Sequence, residues 1–188
     1  MQVSDLRQVM DIERVAFPSP WPASAYRYEL TQNDLSTYLV LKQRRSAGAR
    51  RGGRIMSPLR RRTDETVLGY GGFWMIVDEA HISTLAVHPE WRGHSLGELM
   101  LVALIDAALQ RGAAEVTLEV RVSNLVAQSL YAKYAFVQVG RRRGYYRDNQ
   151  EDALIMTTPK VDGVDFLEWY GQLKAELEKR LTRHGERK

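Results

Sequence analysis

Apolar positions recur along this chain in two rhythms, and the switches between them predict its elements. Residues 4–17 place Leu6, Val9, Met10, Ile12, Ala16 and Phe17 at helical spacing behind a capping Ser4 or Asp5. The run Pro18-Ser19-Pro20-Trp21-Pro22 breaks that helix, and 23–30 restarts a short one. Residues 37–42 are β-rich. Two further apolar runs, 67–77 and 80–87, flank Asp78-Glu79 and predict a hairpin, with Gly71-Gly72 marking a bulge or a close backbone approach. Residues 96–110 read as the clearest helix, with Leu96, Leu99, Met100, Ala103, Leu104 and Ala107 as its apolar side and Arg111-Gly112 as its stop.

Strand alternation returns at 116–122, where Val116, Leu118, Val120 and Val122 interleave with Thr117, Glu119 and Arg121. A helix over 124–134, capped by Ser123 or Asn124, leads to paired strands at 136–142 and 152–158. Phe166, Tyr170, Leu173, Leu177 and Leu181 then draw a C-terminal amphipathic helix. This order predicts an α/β (α+β) sandwich. One domain, 1–160, is expected, with helix and tail at 161–188 either packing on it or offering a partner surface.

Charge changes the picture in one place. Residues 42–65 hold Lys42 and eight arginines against Asp64 and Glu65, a local +7 within a chain of net +4, so the remainder is acidic. The stretch 44–64 lacks periodicity and reads as a long basic insertion, either a solvated loop or a weak RNA contact through phosphates. It has no aromatic residue to stack a base. Cysteine is absent, which excludes disulfides, thiol nucleophiles and zinc–thiolate sites. The four histidines show no ligand spacing, so no metal is expected. No apolar run is long enough to span a bilayer, and the polar N-terminus carries no leader, so a cytoplasmic protein with no membrane contact is expected, as a monomer or weak dimer.

Candidate chemistry begins at Leu85–Leu99, a strand, a turn and a helix start. Such a junction aims backbone N–H groups and a helix N-terminus at one point, which suits a phosphate. Neither a nucleoside-triphosphate P-loop nor a dinucleotide glycine pattern is present. The spacing Arg92-x-x-Ser95-x-Gly97 resembles the acyl-CoA pyrophosphate loop of the GNAT N-acetyltransferases. Ser95 stands where that pattern has Gly. If it must take a positive φ, its Cβ costs about 1–2 kcal/mol; at negative φ it costs nothing.

Residues 118–136, LEVRVSNLVAQSLYAKYAF, look like the signature of the RimI-type ribosomal-protein-alanine N-acetyltransferases. The resemblance continues through Gly140–Tyr146, Glu151–Met156, Ile12-Glu13 and Pro20-Trp21, and spans roughly 3–158. It implies a mixed, mostly antiparallel sheet flanked by helices, acetyl-CoA as cosubstrate, and direct transfer to a protein N-terminal amine, by resemblance the N-terminal Ala of a ribosomal protein. Leu85, Ala86, Val87, Arg92, Gly93, His94, Ser95, Leu96, Gly97, Glu98 and Asn124 would then cradle the cosubstrate. Glu119 would be the general base, or else a solvated charge on a strand. Tyr131 would be the acid at the departing thiolate, or else a core aromatic. Tyr145 and Tyr146 would wall the acceptor slot, or else form an exposed hairpin pair. Ala135 replaces the Gly that usually ends the family's helix in a left-handed conformation, which implies a cost near 1 kcal/mol. Two other functions stay open on the residues: acetylation of a lysine or small amine, and a non-catalytic CoA- or ribosome-binding module.

Overall fold

The β-rich runs become strands because they can bury alternate side chains on both faces of one sheet. In the computed structural model, residues 1–44 and 65–185 are described. Nearly all of the basic insertion, 45–64, lies outside them, and with it the proposed RNA contact. The chain runs α1 (Leu6–Ala16), α2 (Ala23–Gln32), β1 (Ser36–Arg44), β2 (Glu65–Ile76), β3 (Glu79–Val87), α3 (Leu96–Gln110), β4 (Glu115–Arg121), α4 (Leu125–Lys133), β5 (Val137–Tyr146), β6 (Glu151–Thr157) and α5 (Val164–Gly185). Among the described residues, six strands form one sheet in the order β1-β2-β3-β4-β6-β5. Every neighbouring pair is antiparallel except β3 and β4.

Two cores sandwich the sheet. Leu6, Val9 and Ile12 of α1 pack with Tyr26, Tyr38, Val67 and Tyr70 on one side. Helices α3, α4 and α5 pack with Phe73, Met75, Ile82 and Leu118 on the other. The Gly71-Gly72 pair is a close approach: a Cβ on Gly71 would lie 2.9 Å from Leu104 Cδ1, and one on Gly72 would enter the Tyr38 ring. A bulge sits beside it. Gly72 pairs with Thr84 and Phe73 with Ile82, so Ser83 is an extra residue on β3. Such an insertion bends its strand. Parallel pairing with β4 accordingly ends at Ile82–Leu118, and beyond it the two strands part.

Two expectations need correction. The buried apolar side of α3 is Met100, Leu101, Val102, Leu104, Ile105 and Ala108, so Met100 and Leu104 of the expected stripe are enclosed while Leu96, Leu99, Ala103 and Ala107 are only half-buried. The helix is covered twice, by the sheet and by α5, so its enclosed positions extend beyond that stripe. The strand expected to stop at 142 continues as β5 to Tyr146. The C-terminal helix packs on the domain: Phe166, Tyr170 and Leu177 join the core, the Tyr170 hydroxyl donates to the Val102 carbonyl and to Asp106, and Lys174 pairs with Asp106. No helix among the described residues is long and apolar enough to cross a membrane.

Candidate active site

The parting of β3 and β4 opens a cavity of about 520 Å³. Ser83–Leu85 and Leu118–Arg121 form its floor, the α1–α2 connection (Phe17, Pro18, Ser19, Trp21) one wall, and Tyr145, Tyr146, Tyr131 and Asn124 part of the remainder. Glu119 sits in this floor with its side chain only 7% exposed, which removes the reading of a solvated strand charge. One carboxylate oxygen is 2.9 Å from His81 Nε2 and the other 3.1 Å from an Arg142 nitrogen. Burial alone would raise its pKa. The His81 hydrogen bond and the charges of His81 and Arg142 outweigh that and hold it below the ordinary carboxylate value. Glu119 is thus ionised at neutral pH.

Tyr131 is both a core residue and a cavity residue. Its ring packs against Phe136 in the core while the residue also lines the cavity. Burial pushes its pKa up to about 12, so the phenol stays protonated. Tyr146 lies under the Arg121 guanidinium at 3.8 Å, and Asp148 and Glu151 fix that arginine. Tyr145 meets Tyr146 edge to face. The two rings line the cavity wall, and they also stand at the end of the β5–β6 hairpin with Tyr145 exposed. Asn124 caps α4 by accepting the Ala127 amide, and also reaches the cavity rim.

The strand–turn–helix junction lies beyond this cavity along β3. Gly93 (φ +78) and Ser95 (φ +58) are both left-handed, so the negative-φ alternative for Ser95 does not hold. Among the described residues, no backbone or side-chain acceptor takes the amides of Gly93 to Glu98. Two left-handed residues in a row of free N–H groups make an anion nest at the α3 N-terminus. Arg92 is exposed beside it, and His94 directs Nδ1 at the Arg92 carbonyl, 2.9 Å away. Leu85, Ala86 and Val87 pair with β2 on one edge only; past Ile82 their other edge faces the opening. The Glu98 side chain departs from expectation: it turns toward α4 and α5, is 9% exposed, and accepts from Lys133, Tyr134 and Arg180 at 2.6–2.7 Å. Only its amide is left for a ligand. Among the described residues, no group of His, Cys, Asp and Glu is arranged to hold a metal.

Sequence reasoning missed His81 and the cluster around Glu13. His81 shares its sheet face with Glu119, since it pairs with Thr117 two residues away. Its ring stacks on Trp74, which stacks on Trp21 of the cavity wall. Glu13 is 2% exposed and ties that wall down by accepting the Trp21 amide and the Tyr26 hydroxyl. Burial outweighs these bonds and raises its pKa. A glutamate among Ile12, Val9 and Leu6 was the available signal.

Residues 6–136 match the Acetyltransferase (GNAT) family. A Salmonella typhimurium protein named ribosomal protein bS18-alanine N-acetyltransferase is 36% identical over 161 residues, 85% of this chain and 94% of its own length. A Bacillus subtilis protein bearing the same name in provisional form is 36% identical over 156 residues, covering 83% and 90%. The crystal structure of the ribosomal-protein-S18-alanine N-acetyltransferase from Escherichia coli superposes with a TM-score of 0.64 at 28% identity, over 85% of this chain and 90% of that one.

Proposed function

Because the chain belongs to the acetyltransferase (GNAT) family, as an N-acetyltransferase, we propose that it moves the acetyl group of acetyl-CoA onto a protein N-terminal α-amine, that of a ribosomal protein beginning with Ala. What carries the reading is the meeting of an ionised, enclosed carboxylate (Glu119) and a protonated phenol (Tyr131) on one cavity where β3 and β4 part. The nest of Gly93–Glu98 amides fits a pyrophosphate, and the unpaired edge of Leu85–Val87 fits the amides of a pantetheine arm laid along it.

The acceptor must arrive neutral. An α-amine with pKa ~7.7–8.0 is about one-seventh neutral at pH 7, whereas a lysine near ~10.4 costs ~3.5 kcal/mol more to deprotonate. Glu119, with its lowered pKa, does not strip a proton from a resting ammonium. Once the amine nitrogen bonds to the acetyl carbon it becomes strongly acidic, and Glu119 takes its proton directly or through water. As the C–S bond breaks, the electron pair leaves on sulfur and the Tyr131 hydroxyl donates to it. His81 and Arg142 hold Glu119 in place. Tyr145, Tyr146 and the tethered α1–α2 connection narrow the slot to a small first residue.

The test is a peptide bearing both an N-terminal Ala and an internal Lys, incubated with enzyme and acetyl-CoA and mapped by mass spectrometry. Label on the α-amine is expected. Predominant label on the lysine would overturn the acceptor assignment and favour a side-chain acetyltransferase.

A further inference from the structure

The first turn of α3 contains an electrostatic conflict. Its free amides suit a phosphate, yet Glu98, in that same turn, carries a negative charge that would repel one. The structure resolves the conflict with cations from two other helices. Lys133 of α4 and Arg180 of α5 each reach the same Glu98 oxygen at 2.6 Å, and the Tyr134 hydroxyl reaches it at 2.7 Å. Two cations thus compensate the single Glu98 carboxylate. Arg180 lies well outside residues 6–136 and outside the stretch that resembles the family's motifs.

We propose that Arg180, on the C-terminal helix, is a positioning residue for cosubstrate binding: with Lys133 it neutralises Glu98 and so removes the negative charge that would oppose the CoA pyrophosphate at the first turn of α3. The proposal rests on the reading of that turn as the pyrophosphate site. It gives α5 a role in binding as well as in packing, because the helix is anchored at one end through Tyr170 and Lys174 on Asp106 and reaches Glu98 at the other through Arg180. Arg180 is 41% exposed along its side chain, so its influence is partly screened and weakens as salt rises.

The experiment measures equilibrium binding by calorimetry for CoA and for S-acetyl-pantetheine, which lacks the pyrophosphate, on the full chain. Arg180→Met should raise the Kd for CoA about 5- to 10-fold, the scale of one partly exposed charge at a helix N-terminus. The Kd for S-acetyl-pantetheine should stay the same. Arg180→Lys should bind CoA within about 2-fold of the starting protein, and its behaviour decides the matter if Arg180→Met melts without a cooperative transition. Adding Glu98→Gln to Arg180→Met should restore CoA affinity, since the repelling charge is then gone; a merely structural strut would be weakened further. Equal CoA affinity in Arg180→Met, or equal losses for both ligands, would overturn the proposal. If the unsubstituted protein binds S-acetyl-pantetheine but gains nothing from the pyrophosphate, the reading of the turn itself fails, a result distinct from failure at Arg180.

Discussion

Helix α4 ends on a motif that normally demands glycine, and this permits a sharp measurement. The Phe136 amide donates to the Tyr131 carbonyl and the Ala135 amide to that of Ala132, both at 3.1 Å, which is the Schellman pattern. The residue it throws into the left-handed region is Ala135, at φ +62. Phe136, 2% exposed, locks the turn from the core side. Ala135→Gly recovers the Cβ cost of about 1–2 kcal/mol. It gives up about 0.5–1 kcal/mol to glycine's greater freedom when unfolded, and about 0.4 kcal/mol for half-burying one methyl. The outcome is near neutral to about 1 kcal/mol stabilising. Ala132→Gly, an exposed position three residues earlier in the same helix, has the same unfolded-state penalty and nothing to offset it, so it should lose about 1 kcal/mol. Subtracting the two removes the unfolded-state contribution, leaving a gap of about 1 kcal/mol or more, or roughly 2–4 °C in Tm for a chain of this size. Urea titrations of both variants measure it. Equal destabilisation by the two substitutions would refute the left-handed assignment and the cost attached to it.

Glu119→Gln keeps the shape of the floor but cannot take a proton, so turnover should fall by about 10²–10⁴ with CoA affinity unchanged in calorimetry. In the unsubstituted enzyme, kcat/KM should rise with pH through the acceptor amine's range near ~7.7–8.0, because Glu119 is already ionised there. Ser95→Gly should retain or tighten CoA binding, since it relieves the Cβ at φ +58 without removing an amide; a Kd that weakens several-fold would show that the hydroxyl contributes. Glu98 has a lowered folded-state pKa, so its stabilising effect is complete above its unfolded value of 4.5 and is lost as pH falls through the folded one; Glu98→Gln should flatten the acid limb of the stability curve. Glu13 has the opposite sign, its pKa being raised, so stability should decline as pH rises above about 4.5, and Glu13→Gln should remove that decline in pH-dependent urea melts.

The sequence made the elements and much of the site legible because both depend on local pattern. Period-two alternation located β4 and put Glu119 on one face, and the start of α3 was visible at Leu96. What escaped detection depends on which strands meet. The pairing of His81 with Glu119 requires β3 to lie parallel beside β4, although 38 residues separate the two side chains in sequence. The side that α3 buries was only partly legible because the helix is enclosed twice, and Glu98 read as part of the cosubstrate cradle because its partners sit out of sight on α4 and α5. Ser95 presented a conditional question of backbone sign, which only the observed turn answers.

The extra residue at Ser83 has a mechanical consequence. The sheet is effectively two leaves, β1-β2-β3 and β4-β6-β5, stitched together by only four parallel pairs between Glu79–Ile82 and Glu115–Leu118. Any extended molecule lying along the free edge of β3 takes the position of a missing strand and fastens the leaves above the seam. Its binding energy is then also cohesion between the leaves, so a ligand held there at a hundred times its Kd adds about 2.7 kcal/mol to stability. Amides flanking the seam should therefore exchange their hydrogens more slowly when it is occupied, while those at the far edges of β1 and β5 respond least.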